Sequence, residues 1–174
     1  LVKGASKGEG LCNQFLANIR ETDAICHVVR CFENADILHV DGSVNALRDA
    51  ETINLELIFA DLETVENRIS KVEKKALQGK DKDAKMEYDA LKPIHEALLK
   101  GLPARSVEFT KEQKLLIKNF QLLTSKPMIY VANISEADIQ NPENNKEYVA
   151  LKEQAIKEGC AIIPVCANIE ADVA

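Results

Sequence analysis

Pro127-Met128-Ile129-Tyr130-Val131-Ala132, followed by Asn133-Ile134-Ser135-Glu136, is the stretch on which the fold turns. Its first part is short, apolar and rich in β-branched residues, with little polar alternation. That pattern predicts a strand buried on both faces, as in a parallel sheet covered by helices. Two further runs share it, Ala24 to Phe32 (AICHVVRCF) and Ala161 to Val165 (AIIPV). Pro164 has no N–H to give a ladder, so the third strand should be short and Pro164 should sit at a strand end or sheet edge.

Helical segments separate these runs. Leu11 to Glu21 spaces Leu11, Phe15 and Ile19 four apart, predicting one apolar stripe ahead of the first strand. Asn145 to Glu158 precedes the third strand and meets Gly159, the expected helix stop. The second and third strands thus read as a β-α-β unit, whose crossover is almost always right-handed.

The stretch between the first two strands differs. Ile53, Leu57 and Ala60, then Leu62, Val65, Ile69, Val72 and Ala76, recur in three- and four-residue steps. They predict a long amphipathic helix from Ala46 to Leu77, with a seam resembling a coiled coil. Gln78-Gly79-Lys80-Asp81 breaks it, and a second helix from about Lys82 to Lys100 returns, with Pro93 as a kink or restart. Gly101 to Phe109 is a linker, and Thr110-Lys111-Glu112-Gln113 is a capping box opening another helix. So large an excursion exceeds a normal connection between strands. It reads as an antiparallel helical arm at 46–109, inserted between two parts of an α/β domain at 1–45 and 110–174. The alternative is that these helices merely cover the sheet.

The composition suits a soluble domain: 174 residues, 46% hydrophobic, 29% charged, 5% aromatic and no Trp. A net charge of −6 argues against nucleic-acid binding by the whole surface and leaves room for a local basic patch. No apolar run is long enough to span a bilayer and no signal-peptide core opens the chain, so no membrane partner is expected. Cys12, Cys26, Cys31, Cys160 and Cys166 form no Cys-x-x-Cys pair and read as reduced small hydrophobes in a cytoplasmic protein.

In an open parallel sheet, ligands bind beyond the carboxyl ends of the strands. Asn133-Ile134-Ser135-Glu136 lies there and resembles the GTPase base-recognition motif Asn-Lys-x-Asp, with Ile134 for Lys and Glu136 for Asp. The longer carboxylate spoils the bidentate guanine fit, and Ile134 offers only apolar contact to a base face. An ordinary turn also explains Asn-x-x-Glu. Cys166-Ala167-Asn168 stands where GTPases carry a Ser-Ala-Lys loop touching the base through its backbone. The N-terminal segment Leu1 to Gly10 places Gly4, Gly8 and Gly10 among Lys3 and Lys7, which suits a phosphate cradle or a flexible lead-in. The Walker A pattern Gly-x-x-x-x-Gly-Lys-Ser/Thr occurs nowhere in the chain.

Leu1-Val2-Lys3-Gly4-Ala5-Ser6-Lys7-Gly8-Glu9-Gly10-Leu11, Asn18 to Ala24 and His27 to Phe32 closely resemble the YchF-type (Obg-like) ATPases. The likeness continues through Ala60 to Thr64, Lys126-Pro127, Tyr130 to Asn133 and Pro164 to Ala167. It implies a partial P-loop NTPase, Rossmann-like, from an ATPase that associates with ribosomes and prefers ATP to GTP. On that resemblance Asn133, Ile134 and Glu136 hold adenine, with backbone help from Cys166 and Ala167. Leu1 occupies the position where related GTPases place a catalytic Gln, and it cannot polarise water. Gly4, Gly8 and Gly10 fall in the switch loop. The resemblance also implies a P-loop and an Asp-x-x-Gly motif upstream, Mg²⁺ bound by those outside parts, and a TGS domain downstream.

Other residues carry less. His27, His39 and His95 lack metal-ligand spacing, and His27 reads as a hydrogen-bonded core histidine. Lys71, Lys74, Lys75, Lys80, Lys82 and Lys85 gather near the arm's tip as a candidate RNA-contacting surface, interrupted by Glu73, Asp81 and Asp83. A non-catalytic module whose arm docks a protein or RNA partner is the rival reading.

Overall fold

A computed structural model of the chain describes residues 11–33, 43–79 and 81–173. Leu1, Gly4, Gly8, Gly10, His39 and Lys80 lie outside these residues, and so do the switch-loop and catalytic-position expectations. The described elements run α1 (Leu11–Arg20), β1 (Ile25–Arg30), α2 (Ala46–Leu77), α3 (Lys82–Leu99), α4 (Lys111–Lys118), β2 (Met128–Asn133), α5 (Lys146–Lys157), β3 (Ala161–Val165) and α6 (Ala167–Val173). The fold is α/β, as read from the sequence. The chain divides into two compact units, 24–52 with 128–174, and 1–23 with 53–127.

The first unit holds a three-stranded parallel sheet in the order β1-β2-β3. His27 pairs with Tyr130 and Val29 with Ala132, while Tyr130 pairs with Ile162 and Ala132 with Pro164. Pro164 therefore sits in an edge strand, where a missing N–H costs least. The buried face combines Val29, Met128, Tyr130 and Ala132 with Tyr148, Leu151 and Ala155 of α5 and Ala46 and Ala50 of α2. Asn145 caps α5 by accepting from the Tyr148 amide at 2.9 Å, and Gly159 closes it at φ +67°, a conformation open to glycine. The expectation of strands buried on both faces needs correction. Alternate residues of β1 and β3 are exposed, Val28 at 63% and Ile163 at 49%, because the helices in this unit's core pack on one face.

The second unit is built around the α2–α3 hairpin. Ile58, Val65, Leu91, Ile94 and Leu98 form its core, with Leu62, Ile69 and Val72 packed against them. Each large side chain so buried contributes roughly 1.5–3 kcal/mol. Pairs of His95 with Glu66 at 3.1 Å and Tyr88 with Glu73 at 3.2 Å fix the antiparallel register, and Arg68 also bonds Glu87 across the hairpin. Two expectations change here. Helix α3 runs continuously through Pro93 with no restart. The compact unit also extends past 109, because Ile117 and Phe120 join the hairpin's core together with Leu122. The capping box at Thr110 and Gln113 is formed. In α1 the inward residue is Leu16, while Phe15 of the expected stripe is 49% exposed.

Asp61 ties this unit together. Its fully buried carboxylate accepts from the amides of Leu123 at 2.9 Å and Thr124 at 2.7 Å, from the Thr124 hydroxyl at 2.7 Å, and from Arg20 Nη1 at 3.2 Å. Arg20 also donates to the carbonyls of Ala60 and Gln121 and to the Thr64 hydroxyl. Burial raises the Asp61 pKa, and the hydrogen bonds from Thr124 and Leu123 and the Arg20 charge oppose that rise. Asp61→Asn would turn an amide against donors on every side. It should lower stability by about 3–5 kcal/mol in urea unfolding, the usual cost of breaking a buried charged pair. A change within about 0.5 kcal/mol, ordinary for surface sites, would refute this role.

Candidate functional site

The carboxyl ends of β1, β2 and β3 are joined by Asn133, the last residue of β2. Its carbonyl accepts from the Cys31 amide at 2.8 Å, and its Oδ1 accepts from the Ala167 amide at 3.1 Å. The Ile134 amide continues the ladder to the Val165 carbonyl at 2.8 Å. One side chain thus fastens the loop after β2 to the loop after β3. The structure brings Asn133 and Ala167 together, with Cys166 next to Ala167 in the chain.

Ile134 departs from its expected role. Its side chain is 1% exposed and belongs to the sheet's core, so it offers no apolar face to a base. An apolar side chain in the first position of this loop is drawn inward, where Lys would stay in solvent. Cys166 is likewise 3% exposed, which leaves its backbone as the accessible part. Glu136 is exposed and opens a 3₁₀ turn over Glu136–Asp138. Ala167 is exposed and starts α6.

Sequence reasoning missed the residues that brace this loop. Asp138 Oδ2 accepts from the Ser135 hydroxyl at 2.8 Å and from Asn145 Nδ2 at 3.0 Å. Asn145 Nδ2 also donates to the Cys31 carbonyl at 2.7 Å, while its Oδ1 caps α5. Nearby, Glu147 Oε2 accepts from the Ala46 amide at 2.7 Å and so fixes the start of α2. An Asn ahead of a helical run is a legible cap signal; its second partner across the sheet is not.

Two groups here have shifted ionisation. Burial, then Glu147 and Asp49, push the Cys31 thiol up to about 12, making it an inert core residue. Hydrogen bonds from Asn145 and then Ser135 lower the Asp138 pKa below its usual 3.8. His27 stacks on Tyr130 with ring centroids 5.3 Å apart, within the buried face. Cys26, Cys31, Cys160 and Cys166 are free thiols. Among the described residues no group of three His, Cys, Asp or Glu is placed to hold a metal ion, and no helix is long and apolar enough to cross a membrane. On the arm, Lys71, Lys74, Lys75, Lys82 and Lys85 are exposed. The Asp81 carboxylate is occupied in capping α3, and Lys85 pairs with Asp89 at 3.1 Å.

The sign of the Asp138 linkage follows from its depressed pKa. The brace is complete above pH 3.8 and is lost as pH falls through the lowered value. Asp138→Asn should flatten that acid limb in a plot of unfolding midpoint against pH. An unchanged limb would show that Asp138 carries no such linkage.

No family model matches the sequence. Over 174 residues the chain is 55% identical to the ribosome-binding ATPase YchF of Bacillus subtilis, covering all of this chain and 47% of that protein. It is 51% identical over the same length to the ribosome-binding ATPase YchF of Escherichia coli O157:H7, again covering 47% of it. The chain spans about half the length of the curated relatives it matches. Among solved structures it resembles the Schizosaccharomyces pombe YchF GTPase, with a TM-score of 0.80 and 34% identity over 97% of this chain and 46% of that one.

Proposed function

We propose, from the premise that this chain is homologous over its full length to YchF proteins, that it supplies the base-holding half of a nucleotide site in an ATP-hydrolysing protein that associates with ribosomes in the cytoplasm. The observation that carries this reading is the bond from the Ala167 amide to Asn133 Oδ1. It joins the two loops at which a P-loop protein would receive a base.

In this reading Asn133 holds the two loops in register and the Ala167 and Cys166 backbone closes one side. The Glu136 carboxylate accepts from the exocyclic amine of adenine. Ile134 acts from the core, anchoring the loop rather than touching the base. A Glu in place of Asp reaches too far for the paired N–H groups of guanine, which favours ATP over GTP. Phosphate contacts and Mg²⁺ would come from a P-loop, and no such motif occurs in these 174 residues. The exposed Lys71, Lys74 and Lys75 favour an acidic or RNA partner for the arm, which keeps partner docking as the second role.

The test uses a protein carrying this chain together with a P-loop. Glu136→Ala should weaken ATP binding roughly tenfold, the worth of one charged hydrogen bond. Glu136→Asp should move preference toward GTP. Equal ATP and GTP titrations in the wild type and both variants would remove the base-reading assignment. Ile134→Lys is a poor probe, since it would put an ammonium in the core. The 174-residue chain alone should turn over ATP negligibly, and appreciable turnover would overturn the division of labour proposed here.

A further inference from the structure

A cavity of about 350 Å³ opens in the helical unit. Its wall includes Lys114 and Lys118 of α4, Arg105, and the ring of Phe109 beside Ile117 and Pro127. Lys126 adds a further charge at the rim, with its ammonium donating to the carbonyls of Arg20 and Thr22. Asp23 is the single carboxylate in the lining. In a chain of net charge −6, four cations around one cavity are a local reversal of sign.

The cations and the apolar wall are arranged for a ligand with two chemical parts. Lys114 and Lys118 lie one helical turn apart, so both ammonium groups can reach a single anion. Neither is ion-paired within the described residues. Phe109 is half-buried and packed on the hairpin's core, which holds its ring in place as a platform. A flat base stacks on such a ring, and lysines placed beside it take the phosphate. The volume is at the lower end of small-ligand pockets.

We infer that this cavity binds a nucleoside monophosphate unit, with its phosphate between Lys114, Lys118 and Arg105 and its base against Phe109. The unit could arrive as a free mononucleotide or within an RNA strand, and the two sources share this chemistry. The inference does not depend on the base-reading loop, whose residues lie in the other compact unit.

The experiment follows backbone amide shifts of the 174-residue chain by NMR during titration with AMP, a 5′-phosphorylated tetraribonucleotide and inorganic phosphate. AMP should shift the amides around Phe109, Lys114 and Lys118. Lys118→Gln and Phe109→Leu should each weaken it about tenfold, with the rest of each spectrum reporting an intact fold. Glu136→Ala should leave this binding unchanged, so failure of the base-reading proposal is separable from failure of this one. Tighter binding of the tetranucleotide assigns an RNA source, and equal binding assigns the free mononucleotide. Absent shifts at these amides, binding of inorganic phosphate as tight as AMP, or indifference to Phe109→Leu would overturn the inference.

Discussion

A buried carboxylate surrounded only by donors constrains the helical unit. Asp61 stands midway along α2 and meets the 123–125 turn through both oxygens. Thr124 passes the constraint on, its hydroxyl accepting from the Ala104 amide at 2.9 Å while it donates to Asp61. Arg20 brings the end of α1 into the same network. An isolated charge at zero exposure would be prohibitive; here every oxygen is met, so the cost is offset and the geometry becomes specific. That is why the end of α1, the middle of α2 and the 123–125 turn, far apart in sequence, are held in one place within this unit.

The sheet unit relies on a neutral counterpart. Asn133 and Asn145 each use side-chain and backbone groups to bind loops that sequence separates widely. Asparagine suits the task because one side chain presents both a donor and an acceptor. Asn145 uses both at once, capping α5 with its oxygen and holding the end of β1 and Asp138 with its nitrogen. The loop from Ile134 to Asp138 is thus fixed at both ends, by a buried Ile and by a doubly bonded carboxylate. Glu136 is left exposed between them.

Much of this was legible in the chain itself. The three β-like runs, the Gly159 stop, the capping box at Thr110 and the long hairpin were all readable from period and punctuation, since they depend on neighbours within a turn or two. The family resemblance rested on contiguous blocks, and 55% identity over this chain's 174 residues, 47% of the Bacillus subtilis YchF protein, agrees with it. Burial was less legible. Strands of uniform apolarity read as two-sided, yet Val28 and Ile163 are exposed. A single sequence carries no sign of which face a helix covers.

Local pattern therefore determined the elements, their order and the motif positions at Asn133, Cys166 and Ala167. Tertiary structure alone decided that Ile134 faces the core, that Phe15 yields to Leu16 in α1, and that 111–122 packs with the hairpin. It also decided that Asp61, which helical period and charge alone do not separate from the other acids of α2, has zero exposure. The reason is physical: period and propensity act over a few residues, whereas burial and hydrogen-bond satisfaction depend on partners tens of residues away.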